Sequence, residues 1–357
     1  MILVIPCAGD STRFPTSRPK WLLTQPSGRL MVVESILGLD LSQVTRAVVV
    51  CRRDHVEGVD LHAVGRSFLE SGVSIPIEFH ILEGRTASQP ETVATFLRSL
   101  GEDTPIFVKD CDNSFKCDVT VGNSVCFGQA ECLTHDISSK SYCKLSDLHV
   151  VETIAEKRVI SNTFCVGGYG FSSSDAFIRS FEAIKHHSGI YLSHVIDWMM
   201  LEGASFTGTP CSEYEDWGTY SAWLAYRRRH CTLFVDVDGV VLRNGSEFFE
   251  RKWETTTALS ENAEILRQMQ ATGRCQIIFT TARPERLREV TSLQLKSAGL
   301  DPSRLLMGLM HAHRRIVNDH SSSVLFPSCT SASILRDSSG LADALADLLD
   351  DSYIPPM

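Results

Sequence analysis

Short apolar runs alternate with amphipathic stretches through residues 1–110: ILVIP, LMVVESILGL, AVVVC, LHAVGRSFLESG, IEFHIL, PETVATFLRSL and PIFVK, in that order. Unbroken apolar runs bounded by turn residues predict buried strands, and apolar positions recurring every three or four residues predict helices. Strand–helix alternation of this kind predicts an α/β fold with a mostly parallel sheet covered on both faces. Such sheets bind ligands beyond the carboxyl ends of their strands. The segments to watch are therefore Gly9 to Lys20, Glu83 to Glu91 and Asp110 to Asn113, each of which follows an apolar run.

From residue 114 to 172 the alternation loosens and predicts antiparallel strands, followed by helices through AFIRSFEAI, over Tyr191 to Leu201, and past Gly218 to Arg229. After Arg227-Arg228-Arg229-His230 a new apolar strand, CTLFVDV, restarts the pattern, which places a domain boundary near 229. The second segment predicts a helix around AEILRQMQ, a strand at CQIIFTT, a helix through RLREVTSLQL, a short LLMG strand, a strand at RRIVND and a last helix, GLADALADLL. The organisation expected is two domains, 1–229 and 230–357, with no internal repeat.

The length of 357 residues agrees with two domains, and 43% hydrophobic with 22% charged residues is the composition of a globular chain with a core in each half. A net charge of −9 disfavours general attraction to nucleic acid or to an anionic membrane, since both need a basic surface. No apolar run approaches the length that spans a bilayer, and the first residues lack a basic region, so a cytoplasmic protein is expected. The twelve cysteines include no C-x-x-C pair, which argues against structural zinc and a disulfide framework; most read as small buried apolar residues.

The opening I-P-C-A-G-D-S-T-R-F-P-T-S-R-P-K is a strand, a turn at Ala8-Gly9, and two cations, Arg13 and Lys20. A turn free of large side chains lets backbone N–H groups face phosphate oxygens, and nearby cations can neutralise them. This stretch resembles the signature of the sugar-phosphate nucleotidyltransferases, A-G-x-G-T/S-R-F followed by P-K, through Ala8, Gly9, Thr12, Arg13, Phe14, Pro19 and Lys20. Ser11 stands where that family has its second glycine.

Three further segments extend the resemblance in order. Asp110-Cys111-Asp112-Asn113-Ser114-Phe115 resembles the family's D-N-x-F, which implies a magnesium ligand at Asp112, with Asp110 as its alternate or partner. Glu156-Lys157 and the glycine-rich strand with Gly168 resemble the acceptor side. Glu215-Asp216-Trp217-Gly218-Thr219 resembles the D-x-G-T that supplies a second magnesium carboxylate, Asp216; as a bare sequence the same aspartate could simply cap a helix. Glu83 and Gln89 lie where the family recognises the base. The resemblance implies a mixed sheet with a Rossmann-like N-terminal half. It also implies in-line attack of an acceptor phosphate on the α-phosphorus of an NTP, with Arg13 and Lys20 on the phosphates and Mg²⁺ as cofactor.

In the second segment, Phe234-Val235-Asp236-Val237-Asp238-Gly239-Val240-Val241 resembles the first motif of the haloacid-dehalogenase-like phosphohydrolases. That implies a nucleophile at Asp236 and a general acid and base at Asp238, both beside a metal. Thr280-Thr281-Ala282-Arg283 resembles the phosphate-binding threonine motif, with Thr281 as that threonine and Thr280 in reserve. Asn318-Asp319 after RRIV resembles the acidic motif, with Asp319 as metal ligand. The family's lysine before this motif is missing, because no lysine follows Lys296; either Arg314, Arg315 or His313 takes its place, or the site is impaired. A transition-metal site at His311, His313 and His320 is the weaker alternative. Fewer than 40 residues separate Val241 from Thr280, which leaves no room for a large cap.

The combined expectation is a bifunctional enzyme. One half attaches a nucleotide to a phosphorylated small acceptor such as a sugar phosphate, and the other hydrolyses a phosphate monoester. The alternative is a cytidylyltransferase for a phosphonate, phosphocholine or phosphorylated amino acid, with a second domain that binds partners or promotes homo-oligomerisation.

Overall fold

A computed structural model describes residues 1–10, 14, 18–133, 137–319 and 328–349. The chain divides into two compact units, Met1–Trp223 and Leu224–Met357.

In chain order the first unit contains strands β1 (Ile2–Pro6), β2 (Leu39–Asp40), β3 (Arg46–Arg52), β4 (Ile77–Leu82), β5 (Ile106–Lys109) and β6 (Asn113–Asp118). It continues with β7 (Ser124–Gln129), β8 (Tyr142–Leu145), β9 (Val151–Ala155), β10 (Thr163–Phe171), β11 (Thr207–Pro210) and β12 (Ser212–Asp216). The main sheet runs β11-β7-β10-β5-β1-β3-β4, with β8 on β10 and β9 on β8. Its β5-β1-β3-β4 half is parallel, and β10 joins antiparallel to β5 and β7. The sheet is therefore mixed, parallel in the part built from strand–helix alternation.

Side chains alternate across a strand, so each parallel strand feeds two cores. Val4, Val48, Val50 and Val108 pack with Val93, Leu97 and Phe177 on one face. Leu3, Ile5, Val49 and Phe107 pack with Trp21, Val33 and Phe68 on the other. That double burial is why these strands read as unbroken apolar runs. The helix Gln89–Arg98 starts where Ser88 Oγ accepts from the Glu91 N–H at 3.3 Å and Pro90 occupies the first turn.

The expected helix through LMVVESILGL is cut short. Only Met31–Glu34 is helical, because Leu39–Asp40 leaves to pair with Cys117–Asp118 of β6. Gly38 permits the exit: a β-carbon there would collide with the Phe115 carbonyl. Together β12, β6 and β2 form a small second sheet.

Among its described residues the second unit has three parallel strands, β13 (Cys231–Asp236), β14 (Cys275–Thr280) and β15 (Leu305–Leu306), in that order. Its core is Val235, Val237, Val241, Leu266, Ile277, Phe279 and Leu295, with helices at Ser260–Ala271 and Arg288–Ser297. Two expectations are corrected. The GLADALADLL helix is broken into Leu341–Ala344 and Ala346–Leu349. The RRIVND segment is not a strand: Arg315–Asp319 is irregular and exposed, with Val317 95% exposed. The third strand is Leu305–Leu306 instead, which takes the place beside Phe279–Thr280 of β14. Among the described residues no helix is long and apolar enough to cross a membrane.

Candidate functional site

The first site lies at the carboxyl ends of β1 and β5. Beyond β1, Ala8 is buried, whereas Gly9 is exposed, and a β-carbon there would meet no atom within 4 Å. The backbone at Gly9 is thus open to a ligand. Ser11, Thr12 and Arg13 lie outside the described residues. Phe14 is buried against Tyr220 and Trp223, with ring centroids 6.0 and 6.1 Å away. Lys20 opens a short 3₁₀ turn after Pro19, and its amine pairs with the Asp112 carboxylate.

A fully buried lysine holds the turn after β5. Lys109 Nζ donates to the Asp110 carbonyl at 2.7 Å, the Asn113 carbonyl at 3.0 Å and Asn113 Oδ1 at 2.6 Å, and lies 4.6 Å from the Phe115 ring centroid. Three acceptors and an aromatic face offset the desolvation of the ammonium. Asp110 accepts from Gln89 Nε2 at 2.5 Å, and its N–H donates to the Gly167 carbonyl at 2.8 Å. Gly167 has φ +89°, and a β-carbon there would overlap Asp110 Oδ2, so two requirements select glycine.

The two carboxylates of this turn differ electrostatically. Burial, and then the negative charge of Asp112, push Asp110 up to about 6. Burial acts to raise Asp112 as well, but the charge and hydrogen bond of Lys20 outweigh it and hold Asp112 below the usual carboxylate range. Asp112 is therefore the more readily ionised of the two.

Asp216 reaches the same place from the far end of the unit. Strand β12 pairs antiparallel with β6, setting Asp216 opposite Asn113, and the Trp217 N–H donates to the Asp112 carbonyl at 2.8 Å. Asp216 Oδ1 accepts from the Gly218 N–H at 3.0 Å, and Oδ2 accepts from Lys140 Nζ at 2.6 Å. A β-carbon on Gly218 would stand 3.1 Å from Asp216 Oδ1 and 3.2 Å from Asp112 Oδ2, which marks the point where the carboxylates converge. The capping role open to Asp216 belongs to its neighbour: Thr219 Oγ1 accepts from the Ala222 N–H at 3.2 Å ahead of the helix Tyr220–Arg228.

The remaining expected residues are spread more widely. Glu156 is held by Ser141 and by Ser193 Oγ, the latter at 2.7 Å, whereas Lys157, at φ +51°, donates to the Tyr191 hydroxyl at 2.5 Å. Gly168 is a packing position, since a β-carbon there would press on Phe115 at 2.8 Å and Phe107 at 3.0 Å. Gln89, expected to read a base, is engaged by Asp110. Glu83 is exposed and paired with Arg53, on the rim of an open cavity of about 590 Å³ lined by Arg52, Asp54, Gly84 and Arg85. Arg52 also pairs with Asp10, directly after Gly9.

Lys140 and Arg52 were not singled out in the sequence. Lys140 stands in S-S-K-S-Y, a polar stretch without a motif, and only the β6–β12 pairing shows what it faces.

The second unit brings Asp236 and Thr280 side by side, in register at the ends of β13 and β14. Arg314 Nη1 lies 3.0 Å from Asp236 Oδ1 and donates to Thr280 Oγ1 at 3.2 Å. Burial pushes Asp236 up, and Arg314 opposes the shift. Asp238 is engaged on both oxygens: Thr281 Oγ1 donates at 2.8 Å, and Arg283 donates through Nε at 3.0 Å and Nη2 at 2.9 Å.

Arg283 is fully buried and also reaches Gln294 Oε1 at 2.7 Å; it is the central residue of this cluster, and its signal was its place in T-T-A-R. Gly239, at φ +86°, makes the turn after Asp238. Arg315 and Asp319 are exposed in the irregular stretch, where the Asp319 carbonyl accepts from Ser328. His311 stacks near Trp253 at 6.4 Å, His313 is exposed, and His320 lies outside the described residues.

Neither protein-family models nor curated protein sequences match this chain. Solved structures do. A nucleoside-diphosphate-sugar pyrophosphorylase from Vibrio cholerae RC9 superposes with a TM-score of 0.54 at 17% identity, over 64% of this chain and 100% of its own. An inositol-1-phosphate CTP transferase from T. maritima gives 0.49 at 14% identity, over 62% and 90%. A UTP-bound UGPase from Acinetobacter baumannii gives 0.48 at 14% identity, over 63% and 91%. About 64% of the chain thus has a nucleotidyltransferase-like mixed α/β fold, while the reading of the second unit rests on its own residues.

Proposed function

We propose that the first unit is a metal-dependent nucleotidyltransferase that joins a nucleoside monophosphate from an NTP to a phosphorylated small acceptor, releasing pyrophosphate. The observation that carries this reading is the convergence of Asp112 and Asp216 beside Gly218, at the open end of β1 and β5. Fold likeness alone would not carry it, since one fold hosts many activities.

The donor set fits a hard divalent cation such as Mg²⁺. Asp112 and Asp216 supply carboxylate oxygens at one point, Asp110 stands beside them, and each of the first two is neutralised by an amine where a cation would sit. When bound, an ion held by Asp112 and Asp216 would supply positive charge that neutralises the phosphates. The chain's own contribution is alignment and charge. The exposed Gly9 backbone would meet the leaving phosphates and Lys20 the α-phosphate, while Arg13, expected on the leaving phosphates, lies outside the described residues. An oxygen of the acceptor phosphate bonds to the α-phosphorus as the bond to pyrophosphate breaks. An acceptor phosphate is already ionised, so no strong base is required. Lys140, 15% exposed beside Asp216, adds a positive charge on the same side. Base recognition falls to the cavity bordered by Glu83, Arg52 and Arg85.

A sugar phosphate is the acceptor class proposed, with a phosphonate, phosphocholine or phospho-amino acid as the alternative. Incubating the protein with each of four NTPs and a panel of these acceptors, with pyrophosphate release as readout, tests it. Acceptor-dependent release with one base supports the reading, and none across the panel refutes it.

For the second unit, the Arg314–Asp236 contact favours slow phosphate monoester hydrolysis. An Asp236 oxygen would bond to phosphorus as the ester oxygen leaves with a proton from Asp238, and water would then release inorganic phosphate. Asp238 must first exchange its bonds to Thr281 and Arg283, which is why the rate is expected to be low. Magnesium-dependent hydrolysis that Asp236→Asn eliminates, with nucleotidyl transfer intact, tests this part; absence of hydrolysis across a broad ester panel would leave the unit as a binding module.

A further inference from the structure

Three cysteines far apart in sequence meet inside the first unit. Cys117 comes from β6, Cys126 from β7, and Cys211 from the link between β11 and β12. Their sulfur atoms all lie within 4.8 Å of one another, and Cys117 Sγ is 3.4 Å from Cys126 Sγ. Cys117 and Cys126 are buried, at 8% and 0% exposure, while Cys211 is half-buried and gives the cluster a way in from solvent. A metal–thiolate bond is about 2.3 Å for zinc, so three sulfurs sharing one ion stand about 4 Å apart. The observed spacing, from 3.4 Å to at most 4.8 Å, lies within about 1 Å of that on either side.

We propose that Cys117, Cys126 and Cys211 form a three-thiolate site for a thiophilic d¹⁰ cation of the zinc or copper(I) class. Soft sulfur donors select such ions over the hard cation proposed at the carboxylates. Binding exchanges three S–H protons for the ion, with no change in oxidation state. A zinc ion on three thiolates carries one net negative charge.

The site would have a structural consequence. Strand β6 follows directly on Asp112, and Cys211 immediately precedes β12, which ends in Asp216. One ion would therefore tie together the two strands that carry the converging carboxylates. Absence of C-x-x-C spacing hides the site in the sequence, because its ligands are joined by strand pairing and not by a knuckle.

The test is titration of the full-length reduced protein, stripped of metal by a chelator, with Cd²⁺ as spectroscopic probe and Zn²⁺ in competition. One equivalent of Cd²⁺ should produce an ultraviolet thiolate-to-metal charge-transfer band, release protons, be displaced by Zn²⁺ and raise Tm. Cys211→Ser, at the half-buried position, should weaken binding at least tenfold while the circular dichroism spectrum stays native, and Cys126→Ser should do the same. Cys329→Ser, at an exposed cysteine, should change nothing. No band in the wild type, or a band of equal intensity and affinity in Cys211→Ser, would overturn the proposal.

Discussion

Asp112 and Asp216 meet beside Gly218, where a β-carbon would stand 3.2 Å from an oxygen of the first and 3.1 Å from an oxygen of the second. Strand pairing, which sets Asp216 opposite Asn113, brings them there. Alanine at 218 should push the carboxylates apart without disturbing the buried Trp217 beside it. Gly218→Ala is expected to lower pyrophosphate release by roughly ten- to a hundredfold, about 1.4 to 2.7 kcal/mol of barrier. Steady-state kinetics and circular dichroism would check it; a fall in Tm with unchanged turnover would mean that Gly218 serves only the fold.

Lys109 is the structural support beneath that pair. Lys109→Met fills the same space but leaves three oxygen acceptors on Asp110 and Asn113 without their donor. Losing such bonds should cost about 3 kcal/mol, or roughly 6 to 12 °C in the melting temperature of a unit this size. Differential scanning calorimetry would register the shift in the first unit's transition.

Asp110 makes a pH-dependent contribution to stability. Its folded pKa of about 6 lies above the ordinary carboxylate value because burial and the Asp112 charge disfavour ionisation. The sign follows: the stabilisation is complete below the unfolded pKa and is lost as pH rises through about 6. In chelator-treated protein, Asp110→Asn should therefore flatten the fall in Tm between about pH 4 and pH 6. Thermal melts across that range would measure it, and an unchanged slope would contradict it.

In the second unit Arg283 is fully buried and grips Asp238 through two nitrogens. Arg283→Met leaves a half-buried carboxylate with Thr281 as its remaining partner and removes the donor to Gln294 Oε1. Breaking a fully buried pair from one side costs about 3 to 5 kcal/mol, and the partial exposure of Asp238 brings the loss below that. The second unit's melting transition should fall accordingly, and Arg283→Lys should recover only part of it, since an ammonium cannot reproduce the two-pronged contact.

Much of this was legible in the chain. Runs such as AVVVC and PIFVK announce strands buried on both faces, and Asp110, Asp112, Asp236 and Thr281 follow apolar runs at or beside the ends of parallel strands, where such sheets put their chemistry; Asp216 stood out only by its D-x-G-T resemblance and closes the antiparallel β12. What stayed hidden depended on pairing between distant segments. Lys140 has no local signal, and its place beside Asp216 exists only through the β6–β12 pairing. The helix expected over Leu30–Leu39 stops early because Leu39 finds a strand partner in Cys117. Ile316 and Val317 read as a strand, yet β14 takes Leu305–Leu306 as its neighbour and leaves Val317 exposed.

Pyrophosphate release by the wild type and Asp112→Asn, assayed side by side with the preferred NTP, acceptor and Mg²⁺, tests the central claim most directly. The substitution keeps size and hydrogen-bonding capacity while removing the charge that Lys20 neutralises. The account predicts a native circular dichroism spectrum and a loss of at least a hundredfold in kcat/KM, about 2.7 kcal/mol. Turnover near the wild-type rate in a folded Asp112→Asn protein would contradict it.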